Sequence, residues 1–149
     1  MHSTNPNDEY FMQVALQKAE QAFLDDEVPI GAVLVKDNVI VALEHNRTRL
    51  NQDPLAHAEK LILDNAPEKY LYDYTLYITL EPCLMCAGMI IWSRVGRVVF
   101  AAYDKKAGAA GSVYNALLDK HFNHNPKLTC GILAKDSQDL LKRFFKTKR

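Results

Sequence analysis

The chain has 149 residues, a length that fits one domain, and its 48% hydrophobic and 24% charged residues match an average soluble globular protein. Six Gly, six Pro and three Cys exclude a collagen-like chain, a low-complexity chain and a disulfide scaffold. Apolar runs such as Val28 to Val35 are too short to span a bilayer, and the first ten residues carry neither Lys, Arg nor the apolar core of a secretory signal. No membrane association and a reduced cytoplasmic setting are therefore expected. The net charge of zero is unevenly spread. Residues 120–149 hold eight cations against two acids, a net of +6, and the remainder carries −6. Such a basic tail is either a polyanion contact or a solvated helix end whose cations suit the helix dipole.

Residues 1–7 read as a loose start. From Asp8, apolar residues Phe11, Val14, Ala15, Ala19, Ala22 and Phe23 recur at helical spacing as far as Asp25. Val28 to Val35 reads as a buried strand, Lys36-Asp37-Asn38 as a turn, and Val39 to Leu43 as the returning strand of a hairpin. After a polar loop, Asp53-Pro54 opens a short helix over Leu55 to Asn65. Thr75 to Leu80 is a third strand, rich in β-branched and aromatic residues. Pro82 then starts a helix, CLMCAGMIIWSR, that is apolar nearly all round and so should be buried. Arg97 to Ala102 is a fourth strand, and Ser112 could cap a helix reaching Asp119. Leu128 to Leu133 is a fifth strand. Ser137 to Lys148 closes the chain as a helix with Leu140, Leu141, Phe144 and Phe145 on its inner face. Alternating helices and strands predict a single α/β domain over residues 1–149, with helices packed on a mostly parallel sheet that the hairpin makes mixed.

Two short segments carry chemistry. His57-Ala58-Glu59 and Pro82-Cys83-Leu84-Met85-Cys86 each open a helix. One imidazole and two thiolates suit Zn²⁺, and three protein ligands leave a fourth position for water, the arrangement of a catalytic zinc. Cys130 lies in an apolar strand and reads as a small buried hydrophobe, while His45, His121 and His124 have no partner spacing. Glu59 would carry protons between water, substrate and leaving group. Positions 57 and 59 point to different sides of an ideal helix, so they converge only if the metal lies over the N-terminal end of that helix. A lone C-x-x-C could equally be a redox pair, and a lone H-x-E means little. Together and in this order they form H-x-E…P-C-x-x-C, the zinc deaminase pattern.

With its flanking runs EVPIGAV, DPLAHAE, TLEPCLMCAG, RVVF and GAAGS, the chain resembles the bacterial tRNA adenosine deaminase family from about Tyr10 to Phe145. That resemblance implies a cytidine-deaminase-like three-layer α/β/α sandwich with a five-stranded mixed sheet, one zinc per chain on His57, Cys83 and Cys86, and Glu59 as proton shuttle. It implies that Asn46 and the Ala58 backbone read a flipped adenine and that Val28 walls its pocket. It also implies RNA contacts at Asp104 and Lys106 and near Phe144 and Phe145, and a homodimer that binds a tRNA anticodon stem-loop across both subunits. Two departures stand out: the link from the His57 helix to the third strand is short and crowded by Tyr70, Tyr72 and Tyr74, and Tyr103 replaces a residue that is often polar or charged. Three other readings stay open: a free-base deaminase acting on guanine or cytosine, a non-catalytic RNA-binding module with a structural zinc, and a transient redox protein using Cys83 and Cys86.

Overall fold

A computed structural model describes residues 4–148. Met1 to Ser3 of the expected loose start, and Arg149 of the basic tail, lie outside the described residues. Four helices and five strands follow in the order α1 (Asp8–Leu24), β1 (Gly31–Lys36), β2 (Val39–His45), α2 (Ala58–Asp64), β3 (Thr75–Leu80), α3 (Leu84–Trp92), β4 (Arg97–Ala102), β5 (Lys127–Cys130) and α4 (Ala134–Lys146). The sheet order is β2-β1-β3-β4-β5. β1 runs antiparallel to both β2 and β3, whereas β3, β4 and β5 are parallel. The sheet is thus half antiparallel, because the hairpin strand β1 pairs on both of its edges.

Period-two alternation divides the core into two layers. Ala32, Leu34, Leu76, Ile78, Val98 and Phe100 face α2 and α3. Val33, Val35, Tyr77, Val99 and Ala101 face α1 through Phe11, Met12 and Ala15. Both faces of the sheet are covered, which gives the expected α/β/α sandwich. Asp37 and Asn38 both take positive φ (51° and 61°), as a tight type I′ hairpin turn demands. α1 crosses β1 at Gly31, where any Cβ would stand 2.0 Å from the Ala15 carbonyl oxygen. No helix among the described residues is long and apolar enough to cross a membrane.

Several boundaries differ from expectation, each for a local reason. The helix expected at Leu55 starts at Ala58, because Asp53 Oδ1 accepts the Leu55 N–H (2.9 Å) and holds a turn there. Ser112 caps no helix: its hydroxyl and backbone N–H both donate to Glu81, and an Ala110–Asn115 bridge folds the segment into turns. β5 stops at Cys130 because Gly131 (φ 86°) and Leu133 (φ 57°) turn left-handed. α4 consequently starts at Ala134, and Ser137 lies within it, donating to the Thr79 carbonyl (2.6 Å). α3 is not buried all round: Leu84 and Trp92 are 52% and 77% exposed.

A buried ion pair ties α1 to the sheet. Asp8, 1% exposed, accepts hydrogen bonds from Arg97 Nη1 (2.8 Å), Arg97 Nη2 (2.7 Å), Tyr77 Oη (2.7 Å) and the Asn5 backbone N–H (2.8 Å). Burial alone would raise its carboxyl, but the donors, Arg97 foremost, outweigh it and hold the group below the ordinary aspartate value of 3.8. A depressed carboxylate contributes stability above its unfolded pKa, and that contribution is lost as pH falls through its folded value. Asp8→Ala is therefore expected to cost about 3–5 kcal/mol at pH 7 by removing the carboxylate that balances the buried Arg97 charge. The cost should shrink as the pH drops below about 4, which urea unfolding of both proteins across pH 3–7 checks.

Candidate active site

The two chemical segments meet at the starts of α2 and α3, beyond the carboxyl end of β3. His57 and Cys83 are not inside their helices. Each is the residue just before one, with extended backbone (φ −74°, ψ 151° and φ −74°, ψ 174°). That geometry turns both side chains over the helix ends, where Cys86 and Glu59 in the first turns join them. The convergence required of positions 57 and 59 is met in this way.

His57 Nδ1 lies 3.6 Å from Cys83 Sγ and 3.5 Å from Cys86 Sγ. Tetrahedral zinc, with Zn–N near 2.0 Å and Zn–S near 2.3 Å, separates such ligand atoms by about 3.5 Å. The residues therefore fit zinc by both donor type and spacing. Among the described residues this is the only His/Cys/Asp/Glu group able to hold a metal, and it has no fourth protein ligand. Cys130 is not in it. Burial first, and then the Glu81 charge, push that thiol up to about 11. The other histidines among the described residues have structural partners: His45 meets the Asn46 carbonyl, His121 meets Asp119, and His124 meets the Val95 carbonyl.

The electrostatics favour a thiolate at Cys83. A hydrogen bond from the Cys86 thiol, set against burial and aided by His57, holds Cys83 down to about 4. Cys86 is pushed up by that same shared proton and by its burial. These are two ends of one bond, and a cation in the cluster replaces the proton. Glu59 is buried, and burial raises its carboxyl. A carboxyl raised in this way holds a proton more readily than an exposed one, as a proton carrier must.

A cavity of about 170 Å³ adjoins the cluster, lined by Val28, Ile30, Asn46, Thr48, His57, Ala58 and Glu59. Thr48 and Ile30 were not singled out from sequence. Val28 and Ile30 also border a larger groove of about 870 Å³, lined by Tyr103, Asp104, Lys105, Lys106, Lys142 and Phe145 among others. Asp104 Oδ1 accepts the Lys106 and Ala107 N–H groups (3.0 and 3.2 Å) and so shapes the groove wall. Phe144 is not in the groove. It is turned inward against Phe23 (centroids 5.8 Å apart), because only one of two adjacent helical residues can face the α1 side. The basic tail does not line the groove as a block: Lys148 is paired with Asp26, and the groove cations are Lys105, Lys106 and Lys142.

Two buried acids, also missed, brace this region. Glu81 accepts the backbone N–H groups of Asp104 (3.0 Å), Ala110 (2.9 Å) and Ser112 (3.1 Å), and so fixes the loop beside Cys83. A Cβ at Gly108 would fall 2.3 Å from the Glu81 carboxyl carbon, so only glycine fits there. Glu27 plays a similar part for the loop after β2. The available signal was an acid directly flanked by apolar runs, Glu27 before Val28-Pro29-Ile30 and Glu81 after Thr79-Leu80.

Zinc ligands at paired helix starts, with a buried carboxyl beside them, are the equipment of a hydrolytic deaminase. Residues 5–102 match the cytidine and deoxycytidylate deaminase zinc-binding region, and the chain belongs to that family, with one zinc per chain. It is 42% identical over 146 residues to the tRNA-specific adenosine deaminase of Bacillus subtilis (strain 168), covering 95% of this chain and 91% of that one. It is 43% identical over 145 residues to the tRNA-specific adenosine deaminase of Aquifex aeolicus (strain VF5), covering 95% of each. A solved structure from work on A-to-I editing by tRNA:A34 deaminases at the wobble position of transfer RNA superposes with a TM-score of 0.83 at 38% identity, over 89% of this chain and 99% of that chain. A guanine deaminase from Nitrosomonas europaea reaches a TM-score of 0.80 at 23% identity, over 97% of this chain and 86% of that chain, which speaks for the fold alone.

Proposed function

We propose that this chain hydrolyses adenosine to inosine at the wobble position of a tRNA anticodon, acting in the cytoplasm as a homodimer. The observation that carries this reading is that the small catalytic cavity and the lysine- and aromatic-lined groove lie side by side and share Val28 and Ile30. A free base needs the cavity alone. A groove combining cations with exposed rings suits an unpaired nucleic-acid strand, whose phosphates and bases need both. The similarity to tRNA-specific relatives along 95% of the chain supports the same substrate.

His57, Cys83 and Cys86 would hold a zinc ion, which when bound would supply the Lewis acidity for hydrolysis at neutral pH. Glu59 takes one proton from the attacking water and delivers it to the ring nitrogen, then takes the second from the resulting C6 hydroxyl and delivers it to the departing amine. Water adds at C6, ammonia leaves, and inosine remains. Asn46 and the Ala58 backbone orient the base, while Val28 and Ile30 exclude solvent from it. Asp104, Lys106 and Phe145 meet the flanking strand. The outward face of α3, with Leu84, Gly88, Met89 and Trp92 alongside Leu63, is an apolar surface suited to a second copy of the chain.

Incubation with total tRNA, followed by nucleoside analysis of the anticodons, tests the proposal. Inosine at the wobble position is expected, with the activity eluting at the mass of two 16.9 kDa chains. Efficient turnover of guanine with no inosine in RNA would overturn the substrate assignment, and an active species of one chain would overturn the dimer.

A further inference from the structure

Glu27 is 1% exposed and lies outside the metal cluster, yet four donors converge on it. Its Oε1 accepts from Asn46 Nδ2 (3.4 Å), Thr48 Oγ1 (3.5 Å) and the Arg49 N–H (3.1 Å), and its Oε2 accepts the Leu50 N–H (2.5 Å). A carboxylate buried this deeply is costly unless its lone pairs are used, and here they are used on one loop and one pocket residue. Asn46 Nδ2 also reaches Thr48 Oγ1 (3.4 Å), so the amide nitrogen is engaged by Glu27 behind it and by Thr48 on the cavity wall. Its backbone is fixed too: the N–H donates to the Ile30 carbonyl (3.0 Å), and the His45 ring meets its carbonyl (2.8 Å).

The consequence falls on Asn46 Oδ1. Among the described residues no donor reaches it, and no fully buried side-chain oxygen there lacks a partner, so this oxygen keeps some exposure on a residue that lines the cavity. We infer that Glu27 is a positioning residue for substrate recognition: by capturing the Asn46 amide nitrogen it fixes Asn46 with its oxygen toward the substrate, as an acceptor for a substrate hydrogen-bond donor. An unrestrained asparagine presents either end of its amide. The carboxylate, which can only accept, removes that freedom. This rests on the deaminase reading of the same cavity.

Glu27→Gln keeps the shape and replaces one acceptor by a donor, so the Asn46 amide loses its enforced orientation. Zinc content should be unchanged. KM for an anticodon stem-loop should rise about tenfold to a hundredfold with a smaller change in kcat, the pattern of a lost binding contact. In an Asn46→Ala background the same substitution should change KM by less than about threefold, because its effect passes through Asn46. An equal effect in both backgrounds would overturn the proposal and leave Glu27 a loop brace only. Glu27→Asp, which keeps the charge but withdraws it, serves as the second variant should the Gln form not fold, and it should raise KM similarly. A separate readout needs no substrate. In zinc-loaded protein labelled with ¹⁵N-asparagine, the Asn46 side-chain amide, assigned by its absence from Asn46→Ala, should exchange with solvent slowly and should speed up in Glu27→Gln. Fast exchange in the unmodified protein would overturn the proposal. Absence of wobble inosine with a protected Asn46 amide would instead count against the tRNA assignment alone.

Discussion

Glu59→Gln is expected to lower kcat by two to four decades while the protein retains its zinc, its fold and its affinity for substrate. The size follows from what Glu59 does. Its carboxyl is buried beside the three ligands but is not one of them, and burial holds its pKa above the ordinary carboxyl value. Such a group accepts and returns a proton within one turnover, and a positioned general acid–base of this kind is worth about 10²–10⁴ in rate. Glutamine is the same size and fills the same buried space, so the packing of α2 is preserved, but it cannot take up the proton. Single-turnover deamination with the enzyme in excess, together with zinc analysis of the same sample, checks both halves. Near-normal turnover would exclude Glu59 as the proton carrier. Loss of zinc with the activity would make it a structural support of the metal site.

The chemistry of this site was legible in the sequence because it depends on residue type and order. Histidine, glutamate and the Cys-x-x-Cys pair lie within short segments, and only their mutual approach needed the fold. Strands β3 and β4 were equally clear, since β-branched and aromatic runs bounded by Pro82 and Gly96 leave few alternatives. The elements that misled were those set by contacts distant in sequence. Ser112 has the local features of a helix cap, but Glu81, 31 residues earlier, claims its hydroxyl and N–H. The α3 run is apolar enough for a buried helix, yet among the described residues its packing covers one side, with Ile90 and Ile91 inward and Leu84 and Trp92 outward. Phe144 and Phe145 are adjacent and chemically equal, and only the position of Phe23 decides which one turns inward. Glu27 and Glu81 escaped notice for the same reason: their apolar flanks hint at burial, but the donors that hold them come from loops distant in sequence.

Removing a zinc ligand should have the largest combined effect on activity and stability. Cys86→Ala is expected to abolish deamination and reduce zinc from one per chain to near zero, because two remaining ligands cannot hold a catalytic zinc against dilution. The apo protein should also melt earlier. A ligand that binds only the folded state stabilises it by about 4 kcal/mol when present at a thousand times its dissociation constant. For a chain of this length that corresponds to a melting shift on the order of 10 °C. The direction is reinforced by what the site becomes without its cation. Cys83 favours the thiolate, Cys86 is buried beside it, and His57 is pulled upward by Cys83 against the cost of burial, so the cluster relies on one shared proton in place of a dication. Treatment of the unmodified protein with a chelator should reproduce the melting shift, and added Zn²⁺ should reverse it, whereas in Cys86→Ala added Zn²⁺ should do neither. Cys130→Ala provides the contrast. That thiol packs against the core away from the cluster, so the substitution should cost a modest packing term and leave the zinc content at one per chain. Full zinc occupancy in Cys86→Ala, or its loss in Cys130→Ala, would require a different set of ligands from the one the geometry defines.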